Sequence, residues 1–210
     1  MWTSVTVPKL IQSAYPKRVW SLPKEKDQIF LTFDDGPIPK VTPWVLSELQ
    51  KYEAKATFFC IGDNIKKHPE IFQQVIAEGH AIGNHTQHHL NGWNTSLEKY
   101  VEEVAAFEET FKNNTKLSLS LFRPPYGKMT SKQAQQVLKK GYQIIMWSIL
   151  SYDYDANVSE EQCLQNVLKH LKPGAIVVFH DSLKAEKNLR WALPTVLETI
   201  QKKGWNAASL

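Results

Sequence analysis

The sequence predicts an α/β fold in which largely parallel strands close into a barrel. Short β-rich runs alternate with amphipathic stretches along the 210 residues, and this alternation implies right-handed crossovers between parallel strands. Polar clusters follow many different strands, which favours a barrel because all of its strands end on one rim. We find no internal repeat and no linker long enough to divide the chain.

Seven strands are predicted from runs of apolar and β-branched residues. They are Gln28–Phe33, Ala56–Cys60, Ala81–Asn84, Leu119–Arg123, Tyr142–Ser148, Ala175–His180 and Trp205–Ala208. Residues 1–27 precede the first strand, and we predict that they form an N-terminal extension packed on a main domain of residues 28–210.

Capping residues mark the start of three helices. Thr42 and Pro43 predict a helix with threonine as the cap and proline in the first turn. The T-S-L-E stretch predicts a second helix, with Thr95 as the cap and Glu98 as its capping-box partner. The S-E-E-Q stretch that begins at Ser159 predicts a third.

Composition limits the classes of partner and location. Lys and Arg number 25 against 21 Asp and Glu, and the excess of +4 is spread without a basic block. This charge argues against nucleic acid as a partner and suits a neutral or acidic substrate.

No stretch approaches the ~18 apolar residues of a membrane span. The start of the chain lacks the pattern of a secretory signal, so we expect a cytoplasmic location. The oligomeric state cannot be read from the sequence.

The first candidate site is the stretch LTFDDGPIPK, where a strand ends on Asp34 and Asp35. Adjacent carboxylates repel each other, so a positive group is expected nearby. His85 and His89 lie four residues apart, and in a helical turn both rings would point the same way. Two neutral imidazoles and one carboxylate suit a zinc-like metal and leave a position open for water. A turn with a helix cap and a histidine-rich surface loop are the alternatives.

Three further groups follow strands. Arg123 precedes two prolines and could hold a carboxylate by a two-pronged hydrogen bond, or tie one loop to another. The N–H of Tyr126 is the first after those prolines and is a candidate oxyanion donor. His180 ends an apolar strand and could donate a proton to a leaving group. Asp153 could orient His180, although its surroundings are also typical of a solvated loop.

Together these segments resemble the polysaccharide deacetylase family, also called the NodB-homology or carbohydrate esterase 4 family. Four of its motifs are matched in family order: T-F-D-D-G at Thr32–Gly36, H-T-x-x-H at His85–His89, R-P-P-Y at Arg123–Tyr126 and V-x-H at Val178–His180. The match extends from about Gln28 to the C-terminus.

This resemblance implies a deformed (β/α) barrel of about seven parallel strands and a metal-dependent hydrolase. The implied reaction removes acetyl groups from N-acetylated sugars, such as N-acetylglucosamine in peptidoglycan or chitin-like oligosaccharides. It also implies a divalent metal, zinc first and cobalt or nickel as alternatives. The implied roles are base for Asp34, metal ligands for Asp35, His85 and His89, base positioning for Arg123, oxyanion binding for the Tyr126 N–H, acid for His180 and tuning of that acid for Asp153.

The fifth motif departs from the family pattern D-x-x-D-W. The chain has L-S-Y-D-Y, with Leu150 at the first aspartate and Tyr154 at the tryptophan. Because Asp153 keeps the second aspartate, we expect activity to survive. The pKa of the acid and the wall of the sugar groove are the properties that this departure could change.

Two rival functions stay open at this point. An O-acetyl esterase or a non-sugar amidase would use the same tetrahedral intermediate and therefore the same motifs. A metal-holding carbohydrate-binding module without catalysis is the other, and the presence of both Asp34 and His180 argues against it.

Overall fold

The computed structural model describes residues 4–23 and 27–210. Strands in these residues are β1 (Arg18–Val19), β2 (Gln28–Asp34), β3 (Thr57–Cys60), β4 (Ala81–Asn84), β5 (Leu121–Phe122), β6 (Gln143–Ile145), β7 (Ile149–Leu150), β8 (Ile176–His180) and β9 (Asn206–Ala207). Helices are α1 (Lys9–Ala14), α2 (Val41–Lys51), α3 (Gly62–Lys67), α4 (Pro69–Ala77), α5 (Leu97–Asn114), α6 (Ser131–Lys139), α7 (Glu160–Leu168) and α8 (Glu186–Lys202). No helix in this part of the chain is long and apolar enough to cross a membrane.

The strands form a parallel sheet in the order β1-β6-β5-β4-β3-β2-β8-β7, and β9 pairs with β2. The sheet curls so that its edges meet after β6. There Met146 donates its N–H to the carbonyl of Val19 in β1 (2.7 Å), and Ser148 donates its N–H to that of Ile176 in β8 (3.0 Å). Residues 146–148 thus connect β6, the neighbour of the edge strand β1, to the opposite edge strand β7. The prediction of a deformed barrel of parallel strands is confirmed.

Strand β2 lies inside the sheet, and its neighbours β3 and β8 supply much of the core. The ring of Phe33 stacks on those of Phe58 and Phe179 at centroid distances of 5.1 and 6.1 Å. All three rings are buried. Because interiors pack at the density of organic crystals, this cluster gives the end of β2 a rigid base.

Several predicted boundaries need correction. The run predicted as one strand over Tyr142–Ser148 divides into β6 and, after the crossing segment, β7. Thr42 is not a helix cap: it lies inside α2, where its hydroxyl accepts from the Ile38 N–H (2.8 Å). Helix α5 is capped by Ser96, whose hydroxyl accepts from the Lys99 N–H (3.2 Å), and not by Thr95. The capping box at Ser159 is confirmed.

The N-terminal segment contributes to the sheet. Arg18–Val19 forms β1 and pairs with β6, and Trp20 is buried against the core. Ser21 also forms an antiparallel bridge with Ala175, the residue before β8. Residues 1–3 and 24–26 of the predicted extension lie outside the described residues. The position of a boundary between an extension and a main domain therefore stays a prediction.

Candidate active site

The carboxyl ends of the central strands bring the predicted site residues to one rim. Asp34 at the end of β2 is in register with His180 at the end of β8. On the other side, β4 leads into His85 and β5 leads into Arg123, whose N–H donates to the carbonyl of Asn84 (3.0 Å). Four chain segments far apart in sequence therefore meet at one edge, as predicted for a barrel.

Asp35, His85 and His89 form a cluster whose ligand atoms all lie within 4.8 Å of one another. The Nε2 atoms of His89 and His85 lie 3.3 and 3.8 Å from Oδ1 of Asp35. That carboxylate oxygen is buried and has no hydrogen-bond partner in the described structure. A buried oxygen without a donor is unfavourable, so the cluster has the arrangement of a cation site.

Both histidines are held in the form that binds a metal. Nδ1 of His85 lies 2.8 Å from the carbonyl oxygen of Arg123. That carbonyl can only accept, so Nδ1 carries the proton and Nε2 keeps its lone pair. Burial lowers the pKa of His85, and burial together with His85 lowers the pKa of His89 to about 4. Both imidazoles are neutral at neutral pH.

The turn that carries these histidines is not helical, contrary to the prediction. Thr86 and His89 have φ angles of 65° and 58°, in the left-handed region. The rings nevertheless converge, with centroids 4.9 Å apart. The spacing of four residues thus brings the rings together through a left-handed turn.

Asp34 and Arg123 form a buried ion pair. One guanidinium nitrogen of Arg123 donates to Oδ1 of Asp34 (2.7 Å), and both side chains are almost fully buried. Burial raises the pKa of Asp34, but Arg123, His85 and His180 together lower it further than burial raises it. Asp34 is therefore ionised at neutral pH.

The prediction of a two-pronged contact from Arg123 is wrong, because only one of its nitrogens reaches Asp34. The same nitrogen donates to the hydroxyl of Thr32 (2.7 Å), and the other two donate to the carbonyls of Ile145 and Met146. Arg123 therefore both pairs with the carboxylate and ties its own loop to the end of β6.

His180 is linked to Asp153 through two hydrogen bonds. Nδ1 of His180 lies 2.8 Å from Oδ1 of Asp153, and the His180 N–H donates to Oδ2 (2.7 Å). Burial lowers the pKa of His180, but the Asp153 carboxylate raises it more, to about 9. Asp153 is 1% exposed, so its interpretation as part of a solvated loop is wrong. His180 is protonated at neutral pH.

Two aromatic side chains, Tyr126 and Tyr154, lie against histidines of this rim. The Tyr126 ring is 59% exposed and lies 4.6 Å from the His89 ring, with the backbone of Tyr126 in the left-handed region (φ 58°). The Tyr154 ring packs edge-on against His180 at 4.8 Å. Trp93 is a further exposed aromatic residue, at 64%. The Tyr126 and Tyr154 rings therefore flank the site on its His89 and His180 sides.

Asp181 is a buried carboxyl group that sequence reasoning did not assign. Its Oδ1 accepts from the N–H of Gly36 (3.0 Å), and its Oδ2 accepts from the hydroxyl of Thr42 (2.6 Å). Burial and the neighbouring Asp35 raise its pKa to about 8. Asp181 therefore holds the turn after Asp34 and Asp35. Its position directly after His180 was the one available signal.

A protein-family model matches the chain that carries this site. The model described as "Polysaccharide deacetylase" matches residues 21–145, more than half of the chain and three of the four motifs. The chain belongs to the polysaccharide deacetylase family.

Relatives of this deacetylase homologue support the same assignment. A peptidoglycan-N-acetylglucosamine deacetylase of Bacillus cereus is 38% identical over 187 residues, which is 89% of this chain and 87% of the relative. A chitooligosaccharide deacetylase of Azorhizobium caulinodans is 31% identical and covers 87% of this chain and 92% of its own. The crystal structure of the Bc1960 peptidoglycan N-acetylglucosamine deacetylase matches with a TM-score of 0.89 and 30% identity over 97% of this chain and 95% of its own.

The fifth deacetylase motif is altered in sequence but keeps its contact with the histidine. Leu150 lies in β7, where its N–H donates to the carbonyl of Val5 (2.9 Å). Tyr154 occupies the position next to the His180 ring. The Asp153–His180 pair is intact, so the departure leaves the carboxylate partner of this histidine in place.

Proposed function

We propose that this protein is a metal-dependent hydrolase that removes acetyl groups from N-acetylated sugars, with N-acetylglucosamine units of peptidoglycan or chitin-like oligosaccharides as substrates. One arrangement carries the proposal: the Asp35–His85–His89 cluster lies beside a carboxylate that is ionised and near a histidine that is protonated. A base, an acid and a cation site are the groups that metal-dependent hydrolysis of an amide uses.

The residues of the cluster fit a divalent metal of the zinc type. Asp35 supplies an unpartnered buried oxygen, and both histidines are neutral with Nε2 facing it. One carboxylate and two imidazoles are a donor set that zinc, cobalt and nickel accept. When bound, such a metal would lower the pKa of water and polarise the carbonyl of the substrate.

Asp34 is the base in this proposal. Its carboxylate is ionised and held through Oδ1 by Arg123, and its Oδ2 lies 3.9 Å from Nε2 of His85. The fixed Oδ1 leaves Oδ2 on the side of the cluster, where it can take a proton from the attacking water. Base catalysis by a positioned side chain typically contributes ~10²–10⁴ in rate.

His180 is the acid. Asp153 holds Nδ1, so Nε2 is the atom that gives its proton to the leaving sugar amine. The raised pKa keeps that proton in place through neutral pH. The two proton carriers therefore sit in opposite charge states at the same pH, which is what a base and an acid in one reaction need.

Tyr126 and the aromatic rim complete the proposal. The Tyr126 N–H follows two prolines that have none, and it is the proposed donor to the carbonyl oxygen of the acetyl group as negative charge develops there. The rings of Tyr126, Tyr154 and Trp93 offer flat apolar faces for the sugar units. Substitution of each ring is expected to weaken binding of the sugar substrate.

The experiment compares acetate release from N-acetylglucosamine oligomers and from O-acetylated sugars, using the parent protein and Asp34→Asn. The proposal requires release from the oligomers by the parent and loss of at least ~10²-fold in the variant. Release from O-acetylated sugars alone would indicate the esterase. Tight oligomer binding with no turnover on either substrate would indicate a binding module.

A further inference from the structure

The turn that carries the two histidine ligands is strained and needs to be held from outside. Thr86 and His89 adopt left-handed φ angles of 65° and 58°. Such backbone in a residue other than glycine is unfavourable and persists only where the surroundings enforce it. The segment His85–His89, called the ligand loop below, must therefore be held in place by residues that pack against it.

Helix α5 contacts the ligand loop through two buried residues: the Thr110 hydroxyl lies 2.9 Å from the side-chain amide of Gln87, and Glu103 contacts the loop backbone. Glu103 is 2% exposed, although most charged side chains of this helix face solvent. Its backbone carbonyl accepts from the N–H of Gln87 (3.2 Å), and its Oε2 accepts from the N–H of His88 (2.9 Å). Two successive N–H groups at the centre of the loop thus end on a single residue.

The charge of Glu103 is compensated within the same cluster. Its Oε1 lies 3.0 Å from Nδ1 of His88 and 3.5 Å from Nζ of Lys99. A buried carboxylate is unfavourable unless donors surround it. Here two of its donors, the N–H and the ring of His88, come from the loop. The His88 side chain is 56% exposed and makes this contact through Nδ1.

We propose that Glu103 is a positioning residue that docks the ligand loop on α5 so that His85 and His89 converge on the metal. The inference rests on the proposed metal site. The new element is that Glu103, on a helix that supplies no metal ligand, contributes to the affinity for the metal. Partners that orient metal ligands typically affect metal affinity by ~10–100-fold when mutated.

The test measures zinc binding by metal-stripped protein in competition with a chromophoric chelator, without substrate. Glu103→Ala should bind zinc at least ~10-fold more weakly than the parent. Glu102→Ala is the matched control: Glu102 is the neighbouring residue on α5, also approaches Lys99 (3.5 Å), but its side chain is 68% exposed. Its zinc affinity should equal that of the parent.

A second readout separates positioning from general damage to the fold. At saturating zinc the kcat of Glu103→Ala should return to the parent value, since the groups that touch substrate are unchanged. If Glu103→Ala does not fold, Glu103→Gln replaces it and must bind zinc more weakly than Glu102→Gln. Parent-like zinc affinity in the Glu103 variant would overturn the inference, even if the parent releases acetate. Weakened zinc affinity alongside an inactive parent would support it and count against the proposed function alone.

Discussion

At the level of single residues, Arg123 and Asp153 set the protonation states of the proposed base, Asp34, and the proposed acid, His180. Arg123 helps to keep the pKa of Asp34 below its usual value despite burial, and Asp153 raises that of His180. We predict that Asp34→Asn lowers kcat by at least ~10²-fold and leaves zinc binding at one equivalent, because Asp34 is not in the cluster. Acetate release and zinc stoichiometry check this, and an active variant would contradict the role of Asp34 as base.

The acid makes a prediction about pH. Since His180 must be protonated and its pKa is raised from 6.5 to about 9, activity should hold to about pH 9 and fall above it. The same pairing stabilises the fold below the unfolded pKa, and this contribution is lost as the pH rises through about 9. In Asp153→Asn the alkaline limb of kcat/KM should move down toward 6.5. A limb that stays in place would show that Asp153 does not tune the acid.

The motif residues could be predicted from the sequence because each follows a strand, and strand ends share a rim. The roles of Glu103 and Asp181 could not be predicted from the sequence. A glutamate in an acidic helix and an aspartate next to a histidine carry no periodic signal, and their burial depends on which loop packs against them. The single contact from Arg123 to Asp34 was likewise unpredictable, since Thr32 and two carbonyls compete for its donors.

At the level of elements, the turn from β2 to α2 fixes the two aspartates. A Cβ at Gly36 would overlap the carboxylate of Asp181, which is itself bonded to Gly36 and Thr42. We predict that Gly36→Ala costs ~1–3 kcal/mol in unfolding free energy and also lowers activity, because the turn must shift. Denaturant unfolding and acetate release measure both effects.

Gly141→Ala is the control for that variant. A Cβ there meets no atom within 4 Å, so only its φ of 89° is unfavourable. It should lose stability and keep its activity. Equal loss of activity in both variants would show that the effect at Gly36 is not specific to the turn.

The elements also show where sequence patterns stop being informative. Strands β1 and β7 have two residues each, too few for a period of two to be detected. Thr95 and Ser96 are both good caps, so the start of α5 was ambiguous by one residue. The four-residue strand β4 has the same ends in prediction and structure.

At the level of the whole molecule, the N-terminal segment helps to close the barrel. Trp20 is 8% exposed and packs with residues of β5 and β6. We predict that Trp20→Ala lowers the unfolding free energy by ~3–5 kcal/mol, as for a core residue. Urea unfolding checks this. A loss below ~0.5 kcal/mol, as expected for most surface positions, would mean that residues before 28 form a loosely attached extension.

Metal dependence tests the account as a whole most directly. Acetate release from N-acetylglucosamine oligomers is measured with the purified protein, after the metal has been stripped, and after zinc or cobalt has been restored. We predict activity that disappears and then returns at one equivalent of metal. Activity that survives complete removal of metal, or a protein that binds none, would contradict the assignment of Asp35, His85 and His89.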